Sequence, residues 1–287
     1  MTNSIDTTPT KIPVAVPAPK RRKRENSFDT FLGRTFLQLA FVASFFSFWE
    51  IAVRTGFASA FLFGQPSGIA VVLMGAIADG SLAKDTAYTG FAAVLGFAFG
   101  TLIGSFIGLL LWYSEFVARL VEPLIAAINS IPKIALAPII ILWFGTGLIS
   151  KVALAISLTA IVALITAYQA AKDADKDLQA LIHSMGATKH QIFKKVVVPS
   201  TLPSIIATFR INIGFALVGA VVGEFISSQH GLGHMIFVAS SLYDLNTVWA
   251  GLFTLMLVGF TFYQTVEIAE RLLLPWKPQK GNSQINV

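Results

Sequence analysis

Few residues in this chain are of types that do chemistry, and their spacing narrows that chemistry further. His230 and His234 stand four apart, the interval at which two imidazoles on one helix face can share a metal. Gly231 and Gly233 lie between them and oppose a helix, and no glutamate follows His230 as a metalloprotease pair requires. No metal site is expected. Gly75 and Gly80 have the glycine spacing of a phosphate loop, but Ser81 stands where a lysine is needed, so the chain lacks its own ATP-binding loop. The sequence offers no nucleophile–base pair, so neither a catalytic residue nor a cofactor is expected. Three charges remain, each in or against an apolar run: Lys133, Arg210 and Glu224. Charges at membrane depth face a bundle interior or a water-filled path, which makes all three candidates for a translocation path. Lys133 and Arg210 read equally well as long side chains reaching back to the headgroups, and Glu224 as a solvated helix end.

The elements that must hold these charges follow from composition. The chain has 287 residues, 55% hydrophobic and 13% charged, and a mean hydropathy of +0.71. The charged share is about half that of a soluble domain, too little to cover a water-facing surface, so an integral membrane protein is expected. There is no cysteine, which excludes disulfides and thiolate metal sites. The net charge of +6 does not point to nucleic acid, because the basic residues sit in gaps between apolar runs with few aromatics among them.

Residues 1–30 are polar and proline-rich with the cluster KRRKR at 20–24, and are expected to be a disordered cytoplasmic tail, as are residues 277–287. The tail cluster is a topology signal or a contact to anionic lipid. Between the tails, residues 31–276 form the membrane domain, an all-α fold. Its six spans are expected at 35–53, 86–114, 123–145, 148–171, 202–223 and 245–266. Pro132 and Pro138 should break or kink the third span. Gly96, Gly100, Gly104 and Gly108 recur every four residues and form one stripe, for tight helix packing or for a substrate path. Sixteen lysines and arginines fall on the side shared by both termini and the 172–201 loop. Arg54, Lys84 and Lys151 fall on the other, and Lys133 and Arg210 lie within spans, which accounts for all 21. The positive-inside rule makes the first side, with both termini, cytoplasmic.

That loop is the longest charged segment between apolar runs and reads as two short helices. Asp177 can cap a first helix with Leu178, Leu181, Ile182 and Met185 on its apolar side; Gly186 stops it; Thr188 caps a second with Ile192, Phe193 and Val196 opposite Lys194 and Lys195. Pro199 and Pro203 should then bend the chain into the fifth span. Such a hairpin is either a docking surface for another protein or a helix on the headgroups.

The segment GATKHQIFKKVVVPSTLPSI resembles the loop of bacterial ABC importer permeases that grips the ATPase subunit. Gly186, Ile192, Pro199, Leu202 and Pro203 match its pattern, whereas Ala180, Leu181 and Ile182 stand where the family opens with Glu-Ala-Ala. SIPKIALAPIIILWFGTGLISKVALAI (130–156) and GAVVGEFISSQHGLGHMIFVAS (219–240) are similar to permeases of the nitrate, sulfonate, taurine and bicarbonate group. The resemblance covers roughly residues 30–276 and implies a bacterial inner-membrane subunit of the type I ABC importer permease fold. It implies a homodimer in the lipid bilayer, working with cytoplasmic ATPases and an external solute-binding protein, without nucleic acid. The cargo it implies is a small anion, although similar permeases also carry heterocyclic compounds. It assigns Leu181, Ser184, Met185, Gly186, Ala187, Ile192, Pro199 and Pro203 to the ATPase-coupling loop, with Leu181, Met185 and Ile192 filling a groove on the ATPase. On this reading Glu224 gates the path or touches the binding protein. The rival is an ion-coupled secondary transporter, which should carry acidic or histidine residues deep in several spans.

Overall fold

The computed structural model describes residues 31–275, so the basic cluster at 20–24 and both expected tails lie outside the described residues. The described residues are helical, without strands. In chain order the helices are α1 (Phe31–Arg54), α2 (Ala60–Phe63), α3 (Pro66–Ala78), α4 (Ser81–Leu110), α5 (Glu115–Ser130), α6 (Ala137–Phe144), α7 (Leu148–Lys172), α8 (Lys176–Ser184), α9 (Lys189–Ile192), α10 (Val198–Ile226), α11 (Leu232–Ser241) and α12 (Leu245–Leu273). Two units make up the chain, residues 1–48 and 49–287. Of the first, the structure describes the greater part of α1, whose Phe36, Leu39, Phe41, Phe45 and Phe48 are exposed, as befits a helix surrounded by lipid.

Among the described residues, five helical stretches are long and apolar enough to cross a membrane, and α5 with α6 makes a sixth if the pair is one span. These two meet at 85° across the break at Ile131 and Pro132, where Pro132 ends one helix and Pro138 opens the next.

In the second unit α4, α7 and α10 form the core, and small residues set its geometry. Ala92 and Ala93 of α4, Ala155 of α7, and Ala216 and Ala220 of α10 are buried together. Between helices in lipid there is no water-driven term to bring them together, so van der Waals packing and hydrogen bonds at close approach must do so. The α4 glycine stripe makes that approach possible. A Cβ on Gly104 would stand 2.1 Å from the Ala160 carbonyl oxygen, and one on Gly96 would stand 2.2 Å from Ala155 Cβ. Thr159 seals the contact, donating to Gly96 O (3.1 Å) and Ala155 O (2.9 Å), while Asn212 donates from α10 to Thr101 on α4 (2.9 Å). Of the two uses open to the stripe, helix packing is therefore the one it serves.

Short helices close the far end from the 172–201 loop. Glu50 accepts from Gln65 Nε2 (2.9 Å), Ser67 N (3.0 Å) and Ser67 Oγ (2.9 Å), so the end of α1 caps the start of α3. At the turn into α4 the Ser81 hydroxyl, and then its amide at 2.8 Å, hold the Asp79 carboxyl below its usual range.

Candidate functional site

Two ends of the core carry organised polar chemistry. At one, the loop after α7 folds into a rigid knob. Asp175 caps α8, its Oδ1 accepting from Asp177 N (2.9 Å) and Leu178 N (3.0 Å). The expected cap, Asp177, instead lies inside the first turn, because the helix starts at Lys176 and a cap must precede it; there its charge complements the helix dipole. At the other end of α8, Gly186 has φ +87°, with Ala187 N donating to Ile182 O (3.2 Å) and Gly186 N to His183 O (2.9 Å). This is a Schellman turn, which needs the left-handed residue that glycine supplies. Ser184 donates to Leu181 O (2.7 Å). Leu178, Leu181 and Met185 are left outward, Met185 at 78% exposure.

The second helix begins with a complete capping box, Thr188 with Gln191. Ile192 is buried, so it supports the knob from beneath and does not line its outer face. Phe193 packs on Tyr113 (4.6 Å) and Trp112 (5.5 Å), Lys189 donates to Tyr113 O (2.6 Å), and Tyr113 bonds His190 (3.0 Å). The loop is thus bolted to the turn between α4 and α5. Pro199 and Pro203 do not break the chain: Lys189–Ile226 runs as one continuous helical stretch. A π-helical turn at Phe193–Val197, with Val198 N donating to Phe193 O, widens the helix just before Pro199. This wider turn relieves the clash between a proline ring and the preceding carbonyls.

At the opposite end α10 hands the chain to α11 through Ser227–Gly231. Three successive amides there meet side chains from two other helices: Gly231 N donates to Asp85 Oδ1, Leu232 N to Thr89 Oγ1 and Gly233 N to Glu224 Oε2, each at 2.8 Å. Thr89 in turn donates to Glu224 Oε2 (2.9 Å). The carboxylate sits on the positive end of α11. Gly231 (φ +110°) and Gly233 are needed, because a Cβ on Gly231 would lie 2.4 Å from Glu224 Cδ and one on Gly233 would lie 2.7 Å from Val221 O. Lys151 completes the cluster. Its ammonium donates to the carbonyls of Thr146 and Ser227, the latter at the negative end of α10. Lys151 and Glu224 are both fully buried. The sequence reading counted Lys151 among the cations of the outer side and did not single it out as a site residue; the structure buries it. Lys151 lies in the first turn of α7, where a single charge beside an otherwise apolar run reads as a helix end until the neighbouring helix is known. Asp85 and Thr89 were also missed, although their four-residue spacing on one α4 face is a usable signal.

The other expected residues lie apart. Lys133 donates to Asn129 O (3.2 Å) and Oδ1 (3.0 Å) at the break between α5 and α6. Arg210 donates to Glu270 (2.8 Å) and Tyr263 (3.2 Å) of α12, with Glu267 at 4.0 Å. His230 precedes α11 and stands edge-on to Tyr88 (6.1 Å), whereas His234 lies on the helix.

A glycine-packed bundle of apolar helices, with a polar knob at one end and a buried clasp at the other, defines a multi-pass membrane transport component. The chain belongs to the family described as the binding-protein-dependent transport system inner membrane component, whose model matches residues 100–274. It is 34% identical to the formylaminopyrimidine transport permease protein ThiX of Halalkalibacterium halodurans, over 81% of this chain and 92% of that one. It is also 34% identical to the riboflavin transport system permease protein RibX of Chloroflexus aurantiacus (80% and 86%). Identity to the putative aliphatic sulfonates transport permease protein SsuC of Bacillus subtilis is 30% (80% and 83%). All three relatives are named as transport permease proteins. A chain of the MetNI methionine ABC transporter shares the fold, with a TM-score of 0.60, 21% identity, and coverage of 67% of this chain and 96% of that one. The protein is therefore an inner-membrane, multi-pass ABC importer permease of the type I fold, in the nitrate and sulfonate group.

Proposed function

We propose that this chain works as a homodimer, coupled to two cytoplasmic ATPases through the α8 knob and fed by an external solute-binding protein, with both termini cytoplasmic. The observation that carries this reading is the knob itself. Leu178, Leu181 and Met185 are exposed on a short helix fastened at both ends, which is how an apolar anchor transmits force. Gly186 and Ala187 form its turn, Ser184 and Ile192 brace it, and Pro199 and Pro203 join it to the fifth span. Closure of the ATPase pair would draw the two knobs together and rock the spans between inward-open and outward-open states.

The cargo is a small organic solute. An anion of the sulfonate type agrees with the name of the relative at 30% identity. A nitrogen heterocycle agrees with both relatives at 34%. We therefore rank the heterocycle first. Of the three charges proposed for the path, Lys133 is the best suited, because Arg210 is engaged with α12 and Glu224 with α11.

The test is co-purification of the solubilised protein with its ATPase, followed by reconstitution with the binding protein and uptake measurements. Uptake that requires ATP inside supports the reading. Uptake driven by an ion gradient without ATP or ATPase would instead make the chain a secondary transporter.

A further inference from the structure

Residues 55–78 carry no Asp, Glu, Lys or Arg, and they contain both α2 and α3. The 13 residues of α3 extend about 20 Å, short of the roughly 30 Å of a hydrocarbon core, so α3 does not cross a membrane. Its sequence, PSGIAVVLMGAIA, is apolar on every side past the first turn, whereas a helix lying on a water surface keeps a polar face. One side is covered from within the chain. Ile69 is buried, and Gly68 lies so close to the start of α12 that a Cβ on it would stand 2.6 Å from Asn246 Nδ2. The other side is open: Val71, Met74 and Ile77, three residues apart, are 64%, 62% and 66% exposed. Phe57 before α2 is 87% exposed, and Phe61 and Leu62 of α2 are exposed as well.

The backbone where α3 begins is satisfied as a water-free setting demands. In hydrocarbon no solvent serves the free N–H groups of a helix start, so side chains must. Gln65 N donates to Asn246 Oδ1 (2.8 Å) and Ser67 N to Glu50 Oε2 (3.0 Å), while Pro66 between them has no N–H to satisfy. The Phe63 carbonyl accepts from Trp249 Nε1 (2.9 Å). At the edge of the open patch Tyr243, next to Asp244, stacks on Phe61 with centroids 5.6 Å apart. A ring that carries a hydroxyl suits the boundary between acyl chains and water. A protein partner would need polar groups to fix its register, at about one hydrogen bond per 100–200 Å² of interface. The strip of Val71, Met74 and Ile77 offers none, and acyl chains require none.

We propose that α2 and α3 are seated among the acyl chains of the leaflet opposite the α8 knob, with Phe57, Phe61, Leu62, Val71, Met74 and Ile77 as their lipid-contacting surface. The chain leaves the polar boundary at Arg54 and regains it at Asp79 on the same side of the membrane. Within that dip, Glu50 and Asn246 hold the start of α3 against the ends of α1 and α12.

The test uses the full chain in nanodiscs of neutral phosphatidylcholine, on its cysteine-free background. A nitroxide is attached to Val71→Cys or Met74→Cys. Its collisions with oxygen, which concentrates among acyl chains, are compared with those of a water-soluble nickel chelate. Met256→Cys, on the exposed side of α12, gives the lipid standard, and Ser184→Cys on the knob gives the water standard. Labels at positions 71 and 74 should collide more with oxygen than with nickel, as at 256 and the reverse of 184. Dominant nickel collisions would make α3 a water-facing helix. Few collisions with either would mean that a protein surface, such as a second copy of this chain, covers the strip. Each of these two outcomes overturns the proposal. A second measurement needs no label. Met74→Asp sets a charge among the acyl chains and should lower the melting temperature in nanodiscs, whereas Met74→Leu should not. Equal melting of the two variants would also overturn the proposal.

Discussion

Glu224 brings one carboxylate oxygen to two donors, the Gly233 amide and the Thr89 hydroxyl, in a place closed to water. Replacing it with leucine strands both donors, and each orphaned buried group costs about 1–3 kcal/mol. Glu224→Leu should therefore lower the melting temperature of the detergent-solubilised protein markedly, and Glu224→Gln, which keeps an acceptor, should lower it less. Fluorescence-detected size-exclusion after heating would measure both; equal melting for all three forms would mean that the clasp is not a structural joint. Gly186 makes a different residue-scale case. A Cβ there would meet nothing within 4 Å, so Gly186→Val suffers within the chain only from its left-handed backbone, about 1–2 kcal/mol. The variant should insert and assemble normally. Its loss should appear in coupling, as ATP hydrolysis without uptake or release of the ATPase. Normal uptake would refute the assignment of the knob as the power-transmitting contact, and failure to insert would make the loop structural.

Between elements, the closest contact is α4 against α7. Residues 100 and 104 meet the backbone of α7 itself, and backbone cannot rotate away as a side chain can. Gly104→Leu would force α4 and α7 apart, at an overpacking cost of about 1–3 kcal/mol or more. Gly100→Leu should behave alike, since its Cβ would fall 1.9 Å from Thr159 Oγ1 and 3.1 Å from Ile156 Cα. Both variants should aggregate or lose their monodisperse peak on size-exclusion chromatography. Gly214→Leu serves as the control, because a Cβ there meets nothing within 4 Å. If all three behave like wild type, the stripe does not set the helix spacing.

For the whole molecule, the distribution of positive charge sets the orientation. On the proposed orientation the outer side carries Arg54, Lys84 and the buried Lys151, against sixteen cations on the other side. Ser184 on the knob and Ser241 at the end of α11 are both exposed, and a cysteine can replace either on a background free of thiols. A membrane-impermeant thiol reagent should label Ser184→Cys only in inverted vesicles and Ser241→Cys only in right-side-out cells. The reverse pattern would overturn the proposed orientation.

Much of this architecture is local and was therefore legible in the chain. The apolar runs, the glycine interval of four, the break at Pro132 and the Gly186 and Thr188 signals each depend on neighbours within a helical turn or two. Hydropathy, backbone sterics and capping decide such features before any helix meets another. What the sequence could not settle depends on what lies across a contact. Pro199 and Pro203 carried the signal for a bend, yet a π turn absorbed the first within a continuous helix. Lys151 entered the sequence reading only as a topology count, because its partners, the carbonyls of Thr146 and Ser227, are main-chain groups that no residue type reveals. Ile192 matched the coupling-loop pattern, but only the packing of the loop showed that it is buried. The sequence by itself pointed to which segments are apolar enough to be helices in a membrane, since hydropathy is a short-range property; it did not place their ends, as the continuous helical stretch from Lys189 shows. Which charges are buried, matched or left facing a cavity is set by packing between helices far apart in the chain, and only the tertiary structure decided that.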